Sequence, residues 1–188
     1  MKTTRIGTLV ATISILAALS ACKDNPVVSV FTPVNLIQNP SFEINGTPSF
    51  QNWWRRDTLD VRIVQDAPQG GGQWSLLIVP GWIPQQFVAK TFITGQTGTG
   101  VYQLTVAMKN TTVGDFTAPR VLLGRYVDNN WTHYKTISTD STNWTTVSLL
   151  DTLTLQANDT IGVQLSGGTG ELVLGNALFD LVKLVRLQ

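Results

Sequence analysis

Tyr102-Gln103-Leu104-Thr105-Val106-Ala107-Met108-Lys109 places a large apolar side chain at every second position. Successive side chains of a strand point to opposite faces, so Tyr102, Leu104, Val106 and Met108 turn toward a core. Gln103, Thr105 and Lys109 then turn away from it. The same period recurs in Leu59, Val61 and Ile63 and in Ile161, Val163 and Leu165, with Gln164 on the polar side. Further strand-like runs lie near 74–79, 86–92, 120–127, 132–138, 144–150, 171–174 and 178–187. Turn clusters separate them, among them Pro68-Gln69-Gly70-Gly71-Gly72, Asp128-Asn129-Asn130 and the glycine-rich run from Gly95 to Gly100. Thr far outnumbers Ala after residue 22, which favours sheet over helix. About ten short strands with no amphipathic helix predict one all-β domain over 34–188, built as a sandwich of two antiparallel sheets or as a barrel.

The N-terminus reads differently. Lys2 and Arg5 precede an uncharged run from Ile6 to Leu19, which closes on Leu19-Ser20-Ala21-Cys22. Such a run has the length of a secretory signal and is too short for a stable membrane span. Its ending resembles a bacterial lipobox. Residues 1–21 are therefore expected to be a lipoprotein signal peptide and Cys22, the one cysteine of the chain, to carry the lipid. An ordinary cleaved signal is the alternative. Residues 22–33, with two prolines and no periodicity, read as a lipidated tether. The expected location is the outer membrane or cell surface, with membrane contact through the lipid alone.

Charge and composition remove several function classes. Thirteen Lys+Arg stand against twelve Asp+Glu, a net charge of +1. Without Lys2 and Arg5 the side-chain charge is about −1. No nucleic-acid partner is expected, since no basic face would neutralise phosphates. One Cys and one His leave neither a disulfide framework nor a Cys/His zinc site. Glycoside hydrolysis needs a facing carboxyl pair. Here most acids are Asp in turn sequences (Asp66, Asp128, Asp140, Asp151, Asp159), where hydrogen bonding to the local backbone accounts for them. Glu43 and Glu171 are the two glutamates, His133 stands alone, and no Gly-x-Ser-x-Gly elbow occurs. The chain is expected not to be an enzyme.

Asn35-Leu36-Ile37-Gln38-Asn39-Pro40-Ser41-Phe42-Glu43 resembles the opening strand of carbohydrate-binding modules of families 4, 9 and 22, which are galactose-binding-like jelly rolls. Trp53-Trp54, Gly72-Gln73-Trp74-Ser75-Leu76, Gly100-Val101-Tyr102-Gln103-Leu104, Trp144-Thr145-Thr146-Val147 and Leu178-Phe179-Asp180-Leu181-Val182 resemble later pieces in the same order. The resemblance implies a jelly-roll sandwich whose concave face grips a glycan with aromatic platforms, amides and cations. It places Trp53 inward and Trp54 outward, and packs Trp74 and Trp144 within the sandwich.

Candidate platforms are Trp54, Trp82, set in a proline-stiffened loop, and Trp131, which follows a turn. Candidate hydrogen-bonding partners are Lys109, Arg120 and Gln164. The ordinary reading of these is rim residues over the core and solvated sheet surface. The strand opened by Arg120 faces ambiguously: burying Val121, Leu123 and Val127 would bury Arg125, and the opposite choice would bury Gly124.

Glu43 and Asp180 fall on the first and last strands, which pair in these jelly rolls. A carboxylate pair repels unless a cation neutralises it, and structural calcium suits an all-oxygen site. A hydrogen-bonded Asp at a strand end is the alternative.

The reading is a non-catalytic surface lipoprotein that binds a polysaccharide or oligosaccharide beside glycan-degrading enzymes. A neutral glycan is favoured because the charge after the signal is slightly negative and the basic residues are dispersed. The competing reading is a structural or adhesion lipoprotein that binds other envelope proteins with the same fold. A groove lined by Trp and Gln would favour sugar, and a broad flat apolar patch a protein.

Overall fold

The computed structural model of the chain describes residues 33–81, 86–112, 118–168 and 175–188. The expected signal peptide, Cys22 with most of the tether, Trp82, Glu171 and the strand expected at 171–174 lie outside the described residues.

Among those residues the regular structure is all strand. A short hairpin joins β1 (Glu43–Ile44) to β2 (Thr47–Pro48). The remaining strands are β3 (Trp54–Arg55), β4 (Val61–Val64), β5 (Ser75–Ile78), β6 (Val88–Ile93), β7 (Gly98–Asn110), β8 (Arg120–Val127), β9 (Asn130–Ser138), β10 (Thr145–Leu155), β11 (Thr160–Ser166) and β12 (Ala177–Arg186). They form two five-stranded sheets. Sheet I runs β10-β7-β12-β5-β4 and sheet II runs β3-β6-β11-β8-β9. Their strand pairs are antiparallel. This is the expected jelly-roll sandwich.

The long strand β7 is the spine of sheet I, pairing with β10 from Gly98 to Met108 and with β12 from Tyr102 to Asn110. Its alternation behaves as read: Tyr102, Leu104, Val106 and Met108 are buried. Opposite them, sheet II contributes Ala89, Ile93, Val121, Leu123, Ile161, Val163 and Leu165. Truncating one of the buried Leu or Ile side chains to Ala costs about 2–5 kcal/mol in a packed interior. The facing of β8 is thereby settled. Val121 and Leu123 turn inward, and Arg125 at the core margin bonds Asp159 at 2.7 Å.

Leu59 departs from the expected alternation. Asp57 Oδ1 accepts the N–H groups of Leu59 and Asp60, so the chain turns there and Leu59 is exposed ahead of β4. Trp74 and Trp144 also depart from expectation. Each is half-buried in a loop before a strand, with its indole N–H tied to Gly46 O or to Asp66 Oδ1.

The run Asn35–Glu43 lies along β12. Leu36 N–H donates to Leu184 O, Asn35 Oδ1 accepts the N–H of Leu184, and Val182 N–H reaches Pro40 O. Trp53 is buried against Phe42 with ring centroids 4.9 Å apart, and its indole donates to Asn39 O. Burying Trp53 leaves its neighbour Trp54 on the outside.

Candidate functional site: an aromatic face on sheet II

The register of sheet II assembles its outer face in rows. Trp54 stands opposite Lys90, Lys90 opposite Gln164, and Gln164 opposite Leu122. The next row is Phe92, Gly162, Gly124 and Tyr134. Both glycines are places of close approach: Gly124 lies against the backbone of β9 at His133 and Tyr134, and Gly162 lies under Trp131. A Cβ at Gly162 would collide with the Trp131 indole.

Trp131 reaches this face through an irregularity. The register of β9 on β8 jumps between Arg125↔His133 and Tyr126↔Trp131, leaving Thr132 as an extra residue. Strict alternation from Tyr134 would turn Trp131 inward; the bulge re-aims it outward beside Tyr126.

The result is a run of aromatic rings. Phe92 and Tyr126 are 4.8 Å apart, Tyr126 and Trp131 5.1 Å, and Trp131 and Tyr134 6.4 Å. Trp54 is 51% exposed, Phe92 40% and Tyr134 53%. Side chains this large seldom stay in water without a partner to meet.

Two clefts meet on this face, and Trp54, Lys90 and Phe92 line both. One, of about 520 Å³, continues past Tyr126 to Asn129 and Asn158. The other, of about 640 Å³, continues to Gln38, Asn52 and Gln96. Lys90 Nζ lies 5.6 Å from the centroid of the Trp54 ring. Burial, and then the charge of Arg56, hold the Lys90 ammonium below its ordinary pKa. Gln164 is buried on the same face, and its Oε1 has no partner.

The structure divides the residues expected to act together. Trp54, Trp131, Gln164 and the exposed Arg120 share the outer side of sheet II. Trp82 lies outside the described residues. Lys109 belongs elsewhere: it sits on β7 in sheet I, where its Nζ bonds Asp66 Oδ2 at 2.8 Å. Burial opposes ionisation of Asp66, but the hydrogen bonds from Lys109 and Trp144 outweigh it and hold this carboxyl below its usual range. Lys109 therefore leaves the candidate set.

Lys90, Phe92, Tyr126 and Tyr134 were missed. The signal was in the sequence, since Lys90 and Phe92 alternate with buried Ala89 and Ile93 along β6.

Of the acids read as turn residues Asp159 fits that reading, whereas Asp151 lies within strand β10 and its partners stand on β9. Asp159 accepts bonds from Arg125 and from Gln156 N–H, which hold its carboxyl below the usual range. Buried Asp151 meets His133 Nε2 at 2.9 Å and Lys135 Nζ at 3.0 Å.

Glu43 and Asp180 do come near one another, though not by pairing of their own strands. Glu43 pairs with Pro48, and Asp180 with Ala107. The glycine loop before β5 joins them. A Cβ at Gly72 would strike the Glu43 carboxylate and a Cβ at Gly71 the Asp180 carboxylate. Glu43 Oε2 accepts the N–H of Gln73. Asp180 is fully buried, its Oδ1 accepts the N–H of Leu181, and its Oδ2 has no partner. Burial, reinforced by the charge of Glu43, pushes the Asp180 carboxyl up to about 8. Hard oxygen donors with an orphaned carboxylate oxygen fit a calcium-type cation, and both glycines are needed for the close approach. Two protein carboxylates are the acidic part of the site; among the described residues no cluster of three metal-binding side chains is found.

No family model matches the sequence, and no curated protein matches it. Solved structures do match. A family 16 carbohydrate-binding module superposes with a TM-score of 0.58 at 18% identity, over 80% of this chain and 99% of that one. The CBM22-1 xylan-binding domain from Paenibacillus barcinonensis gives 0.56 at 14% identity, over 84% and 97%. The enzymatically active domain of a bacteriophage tailspike protein gives 0.57 at 16% identity over 82% of this chain, which spans 22% of that protein. The described residues thus have the jelly-roll fold of the carbohydrate-binding modules.

Proposed function

We propose that this chain binds a glycan without processing it, through the outer face of sheet II. The observation that carries the reading is the half-exposed Trp54 indole where two clefts meet, continued by the rings of Phe92, Tyr126, Trp131 and Tyr134. A sugar ring has one face of C–H groups and a rim of hydroxyls. It stacks on an exposed aromatic plane, while amides and cations at the border take the hydroxyls. Asn52, Gln38, Asn129 and Asn158 supply such borders along both clefts. Support also comes from the fold, since one matching domain is described as xylan-binding. A grooved face with polar walls favours a sugar over the flat apolar patch that protein adhesion would use.

Cys22 and the preceding signal sequence support a lipid-anchored surface location, with the domain held on a tether. Glu43 and Asp180 would hold a structural calcium ion, which supplies positive charge between two carboxylates and takes no part in sugar recognition. Lys90 joins the site as a hydrogen-bonding partner, whereas Gln164, buried within the sheet, and Arg120, beside Asp140 in a separate cleft, line neither of the two clefts.

The test is affinity electrophoresis of the protein in gels containing xylan, β-glucan, galactan or pectic polymers. Retardation in at least one gel is expected. Free migration in all of them would shift the reading to an adhesion lipoprotein.

A further inference from the structure

Sheet II holds an unequal distribution of charge. None of its five strands contains an Asp or a Glu, although they carry Arg55, Lys90, Arg120, Arg125 and Lys135. Most of the cations that turn away from the open face are accounted for. Arg125 bonds Asp159, Lys135 bonds Asp151, and Arg55 lies over Phe50 with its guanidinium on Val61 O. Lys90 and Arg120 stay on the open face. Arg56 joins them, because it follows β3 in the same alternation as Trp54, and its N–H bonds Val88 O. Among the described residues, none of these three cations has a carboxylate within ion-pair distance.

Lys90 is the most constrained of the three. It is half-buried and lines both clefts, with the Trp54 ring beneath its ammonium and Arg56, two residues along the same chain segment as Trp54, adding a second positive charge. A cation partly withdrawn from water beside a second cation is costly unless an anion arrives. One acid, Asp128, lines the first cleft, but it lies in the turn beyond Tyr126, at the end away from Trp54 and Arg56.

We infer that the Trp54 end of this face recognises an acidic sugar, a uronic-acid residue stacked on Trp54 with its carboxylate held by Lys90 and Arg56. The inference rests on the glycan-binding reading and replaces the preference for a neutral polymer. That preference followed from a slightly negative overall charge and dispersed basic residues, whereas the sheet gathers several of those cations on one surface. Lys90 Nζ stands over the Trp54 ring, 5.6 Å from its centroid, so a sugar stacked on that indole would carry its substituents beside the ammonium. A hydroxymethyl group there would accept an ordinary hydrogen bond. A carboxylate makes charge-assisted bonds, about twice as strong, and a bidentate one with an arginine.

The experiment is a calorimetric titration of the full-length chain with glucuronoxylan, polygalacturonate and alginate oligosaccharides, each beside its carboxyl-reduced counterpart. Reduction keeps every linkage and stacking face and removes only the charge. At least one acidic oligosaccharide should bind about tenfold more tightly than its reduced form, the effect of one charge-assisted bond. The difference should shrink with added salt and in Lys90→Gln and Arg56→Gln, and recover in Lys90→Arg. Lys109→Gln on the opposite sheet should leave it unchanged and thereby excludes a general charge effect. Equal binding of acidic and reduced forms would overturn the inference while leaving glycan binding intact. Preference for a sulfated over a carboxylated polymer would overturn the uronate assignment. Binding to none of the acidic, reduced or neutral polymers would overturn the glycan reading itself.

Discussion

Gly162 has no side chain because the Trp131 indole lies where one would go. Ala at 162 should push the ring off the sheet, at an overpacking cost of about 1–3 kcal/mol. The expected outcome is a fold that survives with shifted Trp fluorescence and weakened glycan binding; unchanged emission would show that the ring does not rest there. Asp159 gives a second prediction at this scale. Its carboxyl is held below the usual range by Arg125 and by the N–H of Gln156, so its contribution is present above the unfolded-state pKa and is lost as pH falls through the lower folded value. Wild type should therefore melt above Asp159→Asn at neutral pH, and the gap should close as pH drops below about 4. A gap that persists at low pH would mean that packing, not charge, separates the two. The sequence made some residues legible and others not. Neighbours in a strand face opposite ways, so Trp53 and Trp54 could not both be buried, and the family resemblance supplied which one is. Trp131 was read as exposed because it follows a turn; strand alternation alone would have turned it inward, since one extra residue in β9 reverses the period. Lys109 was correctly read as outward, but alternation says only in or out, and a sandwich has two outsides.

The glycine loop before β5 is where the Glu43 and Asp180 carboxylates come together. Gly71 and Gly72 let the Asp180 and Glu43 carboxylates lie against backbone, and Gly72 takes a positive φ of 83° that a side chain would strain. If calcium joins the two acids, saturating metal should raise the melting temperature, since a ligand at about 100 times its Kd adds about 2.7 kcal/mol. EDTA should reverse the rise, and Asp180→Asn should abolish it. A melting curve indifferent to both calcium and EDTA would remove the metal. Strands were the most legible elements: the run expected at 120–127 is β8, and the run expected at 178–187 is β12 to within a residue at each end. The β1–β2 hairpin and the short β3 were not legible, because two-residue pairings leave no period to read. β7 begins at Gly98, inside what reads as a turn, because its glycines pair with the far end of β10.

At the scale of the molecule, composition indicated an all-β sandwich but concealed how charge is arranged on it. A net charge of +1 looks featureless, yet the strands of sheet II carry cations and no acid, while the acids among the described residues occupy loops, the β1–β2 hairpin and sheet I. Pairing between distant segments creates that division, so no window of sequence displays it. The N-terminal reading makes its own prediction: Cys22→Ala should release the protein from the membrane fraction, and retention as in wild type would refute the anchor. The central claim is that one face of the sandwich binds sugar, and single substitutions on the two faces test it most directly. Affinity for a retarding polysaccharide should fall in Trp54→Ala by about 1–3 kcal/mol, by analogy with base stacking on aromatic side chains, and should be unchanged in Lys109→Ala. Retained affinity in Trp54→Ala with loss in Lys109→Ala would place the site on sheet I and contradict the account.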